Sequence, residues 1–302
     1  MQILAVVLVT ISAIIHAGWN FFSQQRGVTT GFFFLSCLAA ALVLSPLLWL
    51  YREGMAALPP FFWLCVVLSG LFEALYYQGL CGAYRSGDLS ATYPLVRAAP
   101  VVLVALISLV FGGNRAPQGV GLVGVWLVAA GCLMLPLSSF RRPDLRSYFL
   151  PASLLALTAG IGTTGYSLAD DQAIRHLTHI PTEIMPVNMR ALFFLTLKTL
   201  SSTTALGILL VIFPKDRARI RQTWRNDLKV AMLTGLVIFG AYGMVLAAMI
   251  LAENVSYVVA FRQLSIPIGA LLGFLVNREP LIPTRIAGVG IITLGVLLIA
   301  FG

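Results

Sequence analysis

The sequence predicts an all-α membrane protein with ten transmembrane helices, arranged as two inverted five-helix repeats. Three observations predict it. Charge is too scarce to cover a surface in water, apolar runs of membrane-spanning length follow one another along the chain, and an internal repeat contains an odd number of such runs.

Of the 302 residues, 59% are hydrophobic and 10% are charged. A soluble domain carries roughly 25% charged residues, so most of this surface must face hydrocarbon. A helix needs about 20 mainly apolar residues to cross a bilayer. Such runs lie at 2–22, 29–51, 60–84, 88–112, 117–137, 148–168, 185–213, 227–250, 253–275 and 281–301. The breaks between them hold Gly, Asn, Pro and charge, as in Arg85, Ser86, Gly87 and Asp88. A closed barrel needs alternating polarity, whereas these runs are continuously apolar. No basic stretch precedes the first run, which is read as a span rather than a cleaved leader. The halves are 1–140 and 141–302, with no soluble domain expected. Cys37, Cys65, Cys81 and Cys132 all fall inside apolar runs without ligand spacing. They are expected to be small buried residues, and neither a disulfide, a metal site nor a cofactor is expected.

The net charge of +9 is distributed unevenly. The odd-numbered loops carry Arg26, Arg85, Arg141, Arg142, Arg146, Lys215, Arg217, Arg219, Arg221, Arg225, Lys229, Arg278 and Arg285. The even-numbered loops carry Arg52, Arg115 and Arg175. Basic loops stay cytoplasmic, so both termini are expected outside a cell (inner) membrane. The basic stretch 215–229 is expected as a cytoplasmic loop facing anionic headgroups. Lipid, rather than nucleic acid, accounts for the positive charge.

Tyr77 to Leu137 aligns with Tyr242 to Gly302. Tyr77 matches Tyr242, Arg97 matches Arg262 and Asp88 falls opposite Glu253, all at a separation of 165. Asn114, Arg115, Ala116 and Pro117 match Asn277, Arg278, Glu279 and Pro280, while Gly124 and Gly131 match Gly288 and Gly295. An ordered series of this kind indicates duplication. Five spans per half is odd, so the second half enters the membrane in the opposite sense, a common plan of secondary transporters.

The five-plus-five layout resembles the drug/metabolite transporter superfamily in its EamA-type branch. His16-Ala17-Gly18-Trp19-Asn20 is similar to the His-Ala-x-Trp-Asn pattern of one subgroup, in which a Lys often stands where this chain has Gln24. Tyr166-Ser167-Leu168-Ala169-Asp170 is similar to a Tyr-x-x-x-Asp element of that subgroup. The resemblance implies transport of a small polar metabolite, such as an amino acid or an organophosphonate, and a cavity role for Asp170. Relatives with cytoplasmic termini conflict with the charge distribution, which places the termini of this chain outside.

Charge inside a span costs about 2.5–3.5 kcal/mol on insertion scales and marks candidate sites. Arg97 and Arg262 occupy equivalent places; Ser90, Tyr93 and Arg97 share one helical face, as do Arg262, Ser265 and Gly269. Either the two guanidinium forks clamp an anionic substrate, or they bridge Glu73 and Asp170. Glu73, one turn from Tyr77, is either a proton carrier or the partner of Arg97. Asp171 is expected in solvent and Asp170 at the outer rim. Arg190 is expected to snorkel outward, and Lys198 to line the cavity or tilt to an end. His16 and Asn20 share a face; Trp19 either lines the site with them or anchors the membrane interface. The glycines of the fifth and tenth runs are small-residue packing signals, within a chain or between chains.

The expected substrate site is thus Arg97, Arg262, Tyr93, Trp19, Asn20, Tyr77 and Tyr166, with Glu73, Asp170 and His16 for proton coupling or charge pairing. The partners are a small molecule with an anionic group and membrane lipids, in a monomer or homodimer. The alternative is a flippase or membrane enzyme acting on an anionic lipid headgroup. An enzyme needs an acid, base or metal set at suitable spacing, and none is evident, so no enzymatic activity is expected.

Overall fold

The computed structural model describes residues 2–26, 28–85, 89–111, 116–135, 137, 139–140, 151–269, 271 and 282–301. Asp88, Asn114, Arg115, Arg141, Arg142, Arg146 and the stretch 277–280 lie outside them, as does the expected boundary between the halves.

Among the described residues the chain is helical and without strands. Its helices are α1 (Ile3–Arg26), α2 (Thr30–Leu44), α3 (Pro46–Leu50), α4 (Arg52–Ala56), α5 (Pro60–Arg85), α6 (Leu89–Phe111) and α7 (Gly119–Met134). There follow α8 (Pro151–Leu177), α9 (Val187–Ile212), α10 (Pro214–Asn226), α11 (Leu228–Leu251), α12 (Val255–Phe261) and α13 (Pro283–Phe301). Among the described residues five segments are long and apolar enough to cross a membrane: Thr30–Leu50, Pro60–Ala83, Val187–Ile212, Leu228–Leu251 and Pro283–Phe301. Shorter apolar helices occupy Ile3–Trp19, Ala99–Phe111 and Gly119–Met134. Their outward faces are greasy stripes at three-and-four spacing, such as Leu4, Val7, Ile11 and Ile14 on α1 and Phe61, Leu64, Val67 and Leu71 on α5. Stripes of this extent belong in lipid.

Several boundaries differ from expectation for local reasons. The second run is broken at Ser45, because Pro46 opens α3 and has no N–H for the carbonyl of Leu42. The Ser45 hydroxyl donates to that carbonyl at 2.8 Å, and Thr196 reaches the Leu44 carbonyl at 3.5 Å. Freed carbonyls in hydrocarbon require such partners. The sixth run continues to Leu177 instead of ending near 168. In the ninth run α12 tightens into a 3₁₀ turn at Arg262–Leu264, then resumes helix over 265–269. Pro267 supplies no N–H to the Gln263 carbonyl four residues earlier, which loosens the helix there. The basic stretch expected as a loop is helical: Pro214 starts α10, and single residues, Phe213 and Asp227, join it to α9 and α11.

Packing brings α5 onto α8 and α9, α11 onto α1 and α2, α2 onto α9, and α7 onto α13. Bare backbone makes the closest approaches possible. A Cβ added at Gly70 would lie 2.6 Å from the Ser201 carbonyl carbon, and one at Gly235 2.7 Å from that of Ser36. The crossing of α7 and α13 is close at two levels along its length. Gly124 faces the carbonyl of Gly295 and Gly131 that of Gly288, at 2.6 and 2.7 Å from an added Cβ. These glycines therefore pack helices of one chain. Gly131→Val is expected to cost about 1–3 kcal/mol through overpacking against backbone that cannot yield. Gly290→Ala, with nothing within 4 Å of an added Cβ, is expected to keep the melting temperature or raise it slightly, since alanine is the better helix former. Thermal unfolding of the two purified variants in detergent checks both outcomes.

Segments that connect the helices meet one another. Arg85 at the end of α5 pairs with Asp216 in α10 at 3.2 Å. Separately, Gly54 in α4 approaches Ile184 and Met185, and the Gln118 N–H donates to the Tyr257 hydroxyl at 3.1 Å. Residues of the expected third and seventh loops thus meet, as do residues of the expected second and sixth.

Candidate functional site

Hydrophobic helices that bury charge must supply each ion with partners, because removing an ion from water costs several kcal/mol. Lys198, in the middle of α9, is fully buried and has no route to either end of its helix. Its ammonium donates to Asp170 Oδ2 at 2.8 Å and to Ser69 Oγ at 2.9 Å. It also lies 3.8 Å from Glu73 Oε2. Asp170 on α8, itself fully buried, accepts further hydrogen bonds from the Ser69 hydroxyl and from the Tyr242 hydroxyl. The Ser202 hydroxyl donates to Glu73. Three helices, α5, α8 and α9, are therefore tied at one charged knot.

Aromatic rings enclose that knot. Lys198 Nζ sits 4.2 Å from the centroid of Tyr166 and 4.7 Å from that of Tyr242, within cation–π range of both. The rings continue from Tyr242 through Tyr166, Tyr76, Tyr77 and Phe33 to Trp19, with successive centroids 4.1–6.1 Å apart. Arg262 lies on the Tyr242 ring with Cζ 5.2 Å from its centroid, and its charge also interacts with Tyr166. Among the described residues no carboxylate is within ion-pair distance of Arg262.

Arg97, from α6, meets the far end of the aromatic chain. Its Nη1 is 3.1 Å from His16 Nε2, and its Nη2 donates to the Ser265 hydroxyl. Ser265 follows the 3₁₀ turn that carries Arg262, so both arginines converge on one short segment. Trp19 Nε1 donates to His16 Nδ1 at 2.9 Å. A neutral imidazole has a single acceptor nitrogen. Held between an indole N–H and a guanidinium, His16 satisfies one of these donors at a time, and an imidazolium would satisfy neither.

Several expectations are corrected. Among the described ion pairs Glu73 and Asp170 are both taken by Lys198 and neither by an arginine, because α9 carries Lys198 against α5 and α8. Asp170 is in the core instead of at a rim. Asp171 is 5% exposed instead of solvated, and Arg175 grips it bidentately at 2.7 and 2.8 Å one turn away. Arg190 does not snorkel. It is buried and donates to the carbonyls of Thr178 at 3.3 Å and Ile180 at 2.6 Å, satisfying groups just past the end of α8. Trp19 is buried against Phe33, so it is no interface anchor. Tyr77 and Tyr166 stand in the aromatic chain as described, whereas the side chains of Tyr93 and Asn20 lie outside the described residues. Sequence reasoning missed Tyr242, Tyr76, Ser69 and Ser202 as members of the cluster. The match of Tyr242 to Tyr77 was the available signal for the first; an isolated serine in an apolar helix carries none.

No family model and no curated protein matches the chain. Among solved structures, one described only as "Crystal structure of protein" matches 98% of this chain and 97% of its own, with 14% identity and a TM-score of 0.63. At that identity the likeness is one of fold alone.

Proposed function

We propose that this protein is a secondary transporter of the EamA type within the drug/metabolite transporter superfamily, moving a small anionic or zwitterionic metabolite by alternating access of two inverted five-helix halves. The observation that carries the reading is the setting of Arg262: it is buried, lies on the Tyr242 ring, and has no carboxylate among the described residues within ion-pair distance, while Lys198 occupies Asp170 and Glu73. An anionic group on a substrate is the natural ligand of such a guanidinium, whose planar fork and π-face beneath it are already in place.

The inverted arrangement is supported by contacts that exchange under the repeat. Ser36 and Ser201 are 165 residues apart, as are Gly70 and Gly235, the separation that relates Arg97 to Arg262. The Gly70–Ser201 approach thereby becomes Gly235–Ser36. Phe33 stacked on Tyr77 becomes Lys198 over Tyr242. Gly124 against Gly295 becomes Gly288 against Gly131. Self-complementary contacts of this kind, residue i on j′ and j on i′, are the signature of a two-fold axis. Under this reading the ten expected spans are α1, α2 with α3, α5, α6, α7, α8, α9, α11, the α12 segment and α13.

The test is substrate flux in proteoliposomes holding the purified protein. Uptake of a labelled amino acid or organophosphonate, driven by a proton gradient or by exchange, is expected. Absence of flux for every such solute under both conditions overturns the reading. Headgroup-labelled lipid in the same vesicles reports the flippase alternative separately.

A further inference from the structure

We propose that α10 is an interfacial helix whose outer face binds anionic lipid headgroups. Both of its ends are tied through single residues to helices long and apolar enough to span, so it must lie where those helices leave the bilayer. Immediately before it, Val211, Ile212 and Phe213 are exposed and apolar, marking the edge of the hydrocarbon zone. Its charges are segregated around the helix axis. On the inner face Ile220 seats against Gly31 of α2, and Thr223 is buried. Asp216, the single acid of α10, is held there by Arg85 at 3.2 Å and Arg219 at 3.6 Å. That acid is thereby spent on the protein side. On the outer face Arg217, Arg221 and Arg225 follow one another at four-residue spacing and are exposed. Among the described residues no carboxylate pairs with any of them. Trp224, 57% exposed, flanks this row. A row of guanidinium groups beside an indole, at the end of an apolar belt, matches a layer of lipid phosphates in charge, depth and polarity.

The assignment stands apart from substrate transport and is tested without it. Full-length protein, purified in neutral detergent, is titrated with phosphatidylglycerol and with phosphatidylcholine, and retained lipids are counted by native mass spectrometry. Wild type is expected to prefer phosphatidylglycerol. The triple variant Arg217→Gln/Arg221→Gln/Arg225→Gln is expected to lose about fivefold in this preference per arginine, on the order of 100-fold in all. Arg217→Lys/Arg221→Lys/Arg225→Lys is expected to keep most of it. Wild type without a preference, or a folded glutamine variant with an unchanged one, overturns the proposal. Should the glutamine variant fail to fold, molar salt added to the wild type decides between the same two outcomes: an exposed charged face is screened and loses its preference, whereas a preference that survives the salt comes from a buried site and overturns the proposal.

Discussion

Lys198→Met is expected to lower the stability of the purified protein by about 3–5 kcal/mol, the usual cost of removing one partner of a buried ion pair. Methionine matches the lysine stem in volume, so the loss reports charge rather than a cavity. Asp170 would be left in the core with only the hydroxyls of Ser69 and Tyr242, and Glu73 with only that of Ser202. The double variant Lys198→Met/Asp170→Asn is expected to recover the part of the loss that Asp170 causes, since neutral groups of the same shape replace those two ions and Glu73 alone is left without its ammonium. Thermal unfolding in detergent measures both. A single variant as stable as wild type would mean that Lys198 is not the counter-ion the geometry makes it.

Arg262→Ala is expected to weaken binding of an anionic substrate by about 2–5 kcal/mol, 30-fold or more, while the protein still folds. Arg97→Ala is expected to act in the same direction. Arg262→Lys should recover only part of the loss, because an ammonium keeps the charge but not the planar fork or its stacking on Tyr242. Ligand-induced shifts in melting temperature across amino acids, phosphonates and organic acids provide the readout. Wild-type affinity in both alanine variants would remove the arginines from substrate recognition.

Much of this architecture was legible because lipid simplifies the code: apolar run length announces a helix, and a charge within the run announces a constraint. Arg97 and Arg262 were singled out by the match of Tyr77–Leu137 to Tyr242–Gly302 in the sequence, and the structure buries both. Pairings were harder to read. Lys198 lies far along the chain from Glu73, and nothing local in either helix names the other; only the packing of α5 on α9 joins them. Asp171 and Arg175 were different, since their four-residue spacing on one helix carried the bridge in plain view. So did the spacing of Arg217, Arg221 and Arg225 behind Pro214, a helix-start residue, although high charge first suggested a loop.

The charged knot also divides the molecule by what each seam tolerates. Where α5 meets α8 and α9, three helices are joined through Asp170, Lys198 and Glu73. Where α11 meets α1 and α2, the corresponding ties are hydroxyls on carbonyls, Ser12 to Ala241 and Ser36 to Ala231, both at 2.8 Å. In a saturation library the first seam would accept changes that conserve net charge, often only in pairs. The second would accept changes that conserve volume, one residue at a time. The two sides of one bundle would thus drift by different rules, one governed by electrostatic balance and the other by steric fit.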